Sequence, residues 1–216
     1  MNRILTLFLG ICLIQLVVAQ EDRKTEIWNQ NSVSCNITEK LQLSVTEKMH
    51  LNAHDGSIQL KFGDVSLRNK INDWFSAGCG YRLLYIRKPD NWAVEKRPMI
   101  WGTLSKEICQ LSCSFTNRLE YRFLDQSADH FRHYEKINID FPPLTPLKLR
   151  FYVAEELFTR FNADNFHIVR LYGGLNTVQR KHFRMQLYYV WQKQKNALRH
   201  WDTYDIAGVN FNIIPF

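Results

Sequence analysis

Apolar and polar residues alternate with a period of two along much of the chain. Leu41, Leu43 and Val45 alternate with Gln42 and Ser44, and Ile58, Leu60 and Phe62 with Gln59 and Lys61. Tyr81, Leu83 and Tyr85 run through Gly80 to Arg87, and Leu119, Tyr121 and Phe123 alternate with Glu120 and Arg122. Ile137, Ile139 and Phe141 repeat the pattern, as do Leu147, Leu149, Phe151 and Val153, and near the end Val209, Phe211 and Ile213. An apolar side chain at every second position is what a strand with one buried and one wetted face requires. Such segments predict antiparallel sheets packed through one face each. The expected fold is mostly β (α+β): an antiparallel β-sandwich or open barrel with two or three helices, rather than a doubly wound parallel sheet.

Helical spacing supplies the interruptions. Asp64 is placed to cap a helix carrying Leu67, Ile71, Trp74 and Phe75 on one side, with Gly78 closing it. Ala154 to Phe161 is a short helical candidate. Thr177 to Trp201 reads both ways. As a helix it aligns Phe183, Leu187, Val190, Trp191, Leu198 and Trp201, with Asn176 and Gln179 resembling a capping box. As a strand it alternates Phe183, Met185, Leu187, Tyr189 and Trp191, which would form a hairpin with Phe166 to Leu171. Three prolines between Pro142 and Pro146 make an extended connection, a possible internal break at 141–146 within what is otherwise one domain.

The N-terminus changes the picture from fold to destination. Asn2 and Arg3 precede an almost unbroken apolar run from Ile4 to Val18, and Val17 and Ala19 fit the small-residue rule for cleavage. Residues 1–19 are therefore read as a signal peptide and 20–216 as a single secreted domain, extracellular and not membrane-spanning. The apolar run falls short of the ~20 residues that a spanning helix needs. With 45% hydrophobic and 13% aromatic residues the chain has ample surface to bury, which excludes a disordered class.

Cysteine usage fits export. Cys12 lies in the signal segment, leaving Cys35, Cys79, Cys109 and Cys113, an even number for which two disulfides are the default in an oxidising compartment. Their spacing lacks the tight paired motif of a zinc site, and no metal is expected. Asn36-Ile37-Thr38 is a glycosylation sequon, so Asn36 is a candidate glycan site.

Catalytic motifs are scarce. The chain has no nucleophile elbow, phosphate-binding glycine loop or His-Glu-x-x-His, and no cofactor is implied. The densest set of titratable groups is Asp125, Asp129, His130 and His133, read as a solvated loop or short helix with Phe131 and Tyr134 packing inward. Binding features are stronger. The net charge is +7, and Arg180, Lys181, Arg184, Lys193, Lys195 and Arg199 lie within twenty residues, with no Asp or Glu from Thr177 to His200. That strip is a candidate polyanion site, best gathered if the segment is helical. Trp92, with Arg87 and Lys88, sits in a turn-like stretch and is a candidate recognition anchor. The expected function is an extracellular binding module for a protein or an anionic glycan, with export arguing against nucleic acid. The alternatives are a secreted hydrolase with a site assembled in space, and a carrier of small ligands.

Overall fold

The structure, a computed structural model, describes residues 23–215 apart from 126, 145–148, 162–165, 180–181 and 197. It contains eleven strands in one closed barrel. They are β1 (Lys24–Asn36), β2 (Leu41–Asn52), β3 (Ile58–Lys70), β4 (Phe75–Arg87), β5 (Trp92–Ile108), β6 (Leu111–Leu124), β7 (His130–Asp140), β8 (Arg150–Arg160), β9 (Phe166–Gln179), β10 (Phe183–Lys195) and β11 (Trp201–Ile213). Each strand pairs antiparallel with the next, and β1 closes on β11 in a parallel seam running from Lys24↔Tyr204 to Val33↔Ile213. Closure satisfies every strand edge and leaves none open to pair with another chain.

The strands are staggered. One line of cross-strand partners runs from Cys35 through Leu43, Leu67, Cys79, Ile100, Leu119 and His133 to Thr159. It begins next to the last residue of β1 and ends next to the last residue of β8. These two strands run in opposite directions, so the line climbs from one rim to the other. Such a stagger is the geometric signature of strands tilted about a barrel axis.

The expected sandwich or open barrel with helices is overturned by this closure and by the absence of helix among the described residues. Asp64 caps no helix. It sits inside β3 and receives Nε and Nη2 of Arg82, from the facing position on β4, at 3.0 and 2.6 Å. Leu67 belongs to β3 and Phe75 opens β4, with Ile71 and Trp74 in the turn between them. Ala154 to Arg160 is strand β8. The ambiguous segment 177–201 belongs to β9 as far as Gln179, to β10 from Phe183 to Lys195 and to β11 from Trp201: Asn176 faces Gln186, and Trp191 faces Leu171. The strands on either side of the stretch at 141–146, β7 and β8, pair directly from Arg132↔Arg160 to Asp140↔Tyr152, while residues 145 and 146 lie outside the described ones.

Turns are short. Cys109 and Gln110 form the two-residue β5–β6 turn, both with positive φ (50° and 68°), as the twist of a tight hairpin demands. Neither residue is the glycine or asparagine that usually marks such a turn.

The glycines do a different job inside the wall. Across strand pairs, Gly174 faces Tyr152, Gly208 faces Tyr188 and Gly78 faces Trp101. In each pair the aromatic ring occupies the place a Cβ would take. Aromatic rings over strand glycines fill the gap that a bare backbone leaves. Gly208→Ala is expected to push the buried Tyr188 ring aside and cost about 1–3 kcal/mol. Gly173→Ala, with nothing within 4 Å of its added Cβ, is expected to be neutral. Urea midpoints of the two refolded variants measure the difference.

Candidate functional site

The alternation that the sequence displays is real, but its sense is inverted. Large apolar side chains point away from the barrel: Ile27, Val33, Val45, Val65, Ile100, Phe115, Ile137, Val153 and Leu187 are all exposed. Ile100, at 60% exposure, stands midway along β5. Aromatic residues gather at both ends of this apolar band. Trp92, Phe123, Phe131, Phe161 and Trp201 lie at the rim where β5, β7 and β11 begin, and Trp74, Phe115, Phe141 and Phe151 at the opposite rim. Glu47, Glu135 and Glu155 share the outward phase of their strands and interrupt the band. Among the described residues no helix is long and apolar enough to cross a membrane.

Inside, charged side chains share the barrel with a buried cluster of Trp28, Tyr152, Tyr188, Val190 and Ile206. Glu95, Arg97, Glu120, Arg122, Arg132 and Glu156 are all buried, and Glu120 has no exposed surface. Each lies on the inward phase of its strand, and the residues between them face out, Tyr121 between Glu120 and Arg122 and the exposed Lys96 between Glu95 and Arg97. Buried charges persist only when paired, and these are paired in a continuous network. Arg122 grips Glu95 with a two-pronged fork, Nε to Oε1 at 2.6 Å and Nη2 to Oε2 at 2.7 Å. Arg97 donates to the same Oε1 through Nε and Nη2 at 2.8 and 2.6 Å. Glu120 takes Nε and Nη2 of Arg132 on Oε2 at 2.8 and 2.5 Å, and Nη2 of Arg118 lies 2.7 Å from its Oε1. Glu156 is held by Lys136 and Arg170 at 3.2 Å each, and the hydroxyls of Tyr134 and Tyr172 donate to it at 3.0 and 2.9 Å.

The cations outnumber these carboxylates. A cavity of about 490 Å³ in the lumen is lined by nine Lys and Arg side chains against Glu26, Glu95 and Glu156. Counting Asp64 and Glu120 in the wall behind raises the acidic total to five. Aromatic faces take part of the excess. The ammonium of Lys48 lies 4.0 Å from the Trp28 ring centre, Arg118 lies 3.9 Å over Tyr134, and Arg170 lies 4.9 Å over both Trp28 and Phe158. A cation over a ring face is attracted by the ring quadrupole, so these contacts soften mutual repulsion without supplying a counter-charge. Towards the rim where β1 and β9 end, most of the lumen lining is uncharged and polar, with Ser32, Asn176, Gln186, Asn210 and Asn212 around Asp140, Arg150 and Arg184.

The residues singled out from sequence fall in scattered places. The four cysteines are unpaired in the structure. Cys35 and Cys79 are on one cross-strand line but have β2 and β3 between them. Three strand spacings are about 14 Å, beyond the reach of a disulfide. Asn36 ends β1, and its side-chain oxygen accepts from Gln42 at 3.0 Å. The basic strip is dispersed because the segment is not a helix. Arg184 lines the polar cavity near one rim, while Lys193 and Lys195 lie at the other end of β10 and Arg199 in the turn that follows. Arg180 and Lys181 lie outside the described residues, as does the signal segment 1–19. Trp92 is exposed at the start of β5, with the ammonium of Lys61 5.3 Å from its ring centre, and Arg87 and Lys88 adjoin the same turn. His130 faces the lumen and His133 the outside, so they share no site. Among the described residues there is no cluster of His, Cys, Asp and Glu that could hold a metal ion.

The charged lumen escaped notice in the sequence. Its signal was there: opposite charges two residues apart, as in Glu95/Arg97 and Glu120/Arg122, within otherwise alternating strands. On a water-facing surface such pairs need not recur, whereas a closed interior requires them.

A family described as "Protein of unknown function (DUF2490)" matches residues 25–203, from the second residue of β1 into β11, and the chain belongs to that family. No curated protein and no solved structure matches it.

Proposed function

We propose that this protein is an exported integral-membrane β-barrel of the outer-membrane type, and that its net-positive lumen receives small anionic solutes. The observation that carries this reading is the inversion of the wall: exposed apolar side chains outside and paired charges inside. A barrel in water would arrange the two the other way round, since exposed apolar patches beyond a few hundred Å² are rare on soluble monomers. Aromatic girdles at both rims and strands of 11 to 17 residues agree with a tilted span of the hydrocarbon layer. The apolar N-terminal run, read as an export signal, is the route such a barrel takes out of the cytoplasm. The expected chain that does not span therefore stands for helices alone, and the strands are proposed to do the spanning. The anionic partner expected from the net charge is proposed to meet the lumen rather than an outer strip. An apolar-ligand carrier is disfavoured, because the apolar depression lined by Phe151, Leu175, Leu187 and Tyr189 lies on the outer face.

Fractionation tests the location. Cells expressing the full chain should retain the protein in the membrane pellet through alkaline carbonate and release it only to detergent. Unboiled samples should migrate differently from boiled ones in SDS gels. Recovery as a soluble monomer in the medium or the supernatant would refute the membrane reading.

A further inference from the structure

We propose that the lumen contains a specific oxyanion site, formed by Arg160, His167 and the Nη1 side of Arg132, with the positive charge of Arg122 beside them, which takes phosphate or the phosphate group of a small solute. It deepens the reading of the lumen given above, and it needs only the folded barrel, not the lipid.

Four observations converge on this corner. Arg160, at the end of β8, is a neighbour of Arg132 across the β7–β8 ladder, two guanidiniums on one inward row. Arg132 spends Nε and Nη2 on Glu120, and Arg122 spends Nε and Nη2 on Glu95, so the adjoining carboxylates are already engaged. Arg160 has no ion pair among the described residues, and its buried Nε makes no hydrogen bond. His167 is only 4% exposed, and its ring nitrogens make no hydrogen bond beyond a weak contact with the backbone of Phe158.

All four side chains line the same cavity, whose wall carries more positive than negative charge. His167 reaches it because the β8–β9 ladder shifts register between Phe158 and Thr159, which turns both His167 and Ile168 inward. A bulge that re-aims a side chain is a usual device beside functional sites. Unpaired buried donors are costly, and like charges at neighbouring positions repel. A bound oxyanion relieves both at once, accepting from the guanidiniums in the forked geometry that suits phosphate. Arg122 Nη1 lies 3.2 Å from His130 Nε2, so His130 braces the same cluster from β7.

Titration calorimetry of the detergent-solubilised full chain, in chloride buffer, tests the site with inorganic phosphate, a sugar monophosphate and the uncharged sugar. Saturable heat with phosphate or the sugar phosphate, and none with the sugar, is expected. Equal affinities assign the free ion, and tighter binding of the ester assigns phosphorylated solutes. Arg160→Gln should weaken binding about ten- to hundredfold, the loss of a charge-assisted hydrogen bond. Arg184→Gln, at the other rim, should leave it unchanged. Heat-dependent gel mobility checks that each variant is folded, and His167→Gln replaces Arg160→Gln if the latter is not. No heat from wild type, or full affinity in folded Arg160→Gln, would overturn the site. Neither result would bear on the carbonate extraction that tests membrane location.

Discussion

Glu120→Ala should lower the stability of the barrel by about 3–5 kcal/mol, the usual consequence of removing one partner from a buried ion cluster. Three guanidiniums converge on this carboxylate: Arg132, Arg118 and, at 3.5 Å, Arg97. Arg97 and Arg132 are buried with it, so two of the three have little access to water. Their mutual repulsion, rather than the volume of a lost side chain, should dominate. Glu120→Gln, which keeps the shape and removes the charge, should therefore lose most of the same stability. The measurement is the urea midpoint in detergent or vesicles, followed by gel mobility. Asp73→Ala, which breaks the exposed pair with Lys70, should leave the midpoint where it is. Equal midpoints for wild type and Glu120→Gln would mean that the lumen network contributes nothing.

Ile100→Arg separates a lipid-facing wall from a water-facing one. Arginine at the hydrocarbon midplane on the outside of a membrane barrel costs about 2–4 kcal/mol, whereas an exposed surface substitution on a soluble protein usually stays within about 0.5 kcal/mol. Ile100 stands at mid-strand with its side chain exposed, so a barrel seated in lipid should lose the larger amount. Folding yield into vesicles and the urea midpoint both register the loss. An unchanged midpoint would place the outer face in water. The outward Glu47, Glu135 and Glu155 make a useful comparison, since replacing each with leucine should stabilise a lipid-facing wall and not a wetted one.

Much of the wall was visible in the sequence. Period two located parts of β2, β3, β4, β6, β7, β8 and β11. It missed β1, where Asn29 and Asn31 take outward positions and blur the alternation, and β5, where Glu95, Lys96, Arg97 and Pro98 run together. The helical stripe from Leu67 to Phe75 spans two strands and their turn, a coincidence of spacing that local pattern cannot reject. In the 177–201 segment the strand alternation was the informative signal, and the helix-forming residues at its ends were not. The sense of the wall lies beyond periodicity altogether. A strand that puts Leu119 and Tyr121 into a core and one that shows them to lipid alternate identically. Only closure distinguishes them, and closure is set by pairings such as Lys24↔Tyr204, between residues at opposite ends of the chain. The anion site was hidden for the same reason: Arg122, Arg132, Arg160 and His167 come from four strands and share no motif.

The parallel seam between β1 and β11 has a topological consequence. Eleven strands traverse the wall an odd number of times, so Lys24 and Ile213 come to rest at opposite mouths of the barrel. In a membrane those mouths open into different compartments. Barrels with an even number of strands return the chain to the side on which it began, and both ends then share one environment. Here a segment joined before Lys24 and one joined after Ile213 would answer to different solutes, proteases and partners. The polarity of the barrel, including which compartment meets the phosphate corner first, can thus be read from the location of either end.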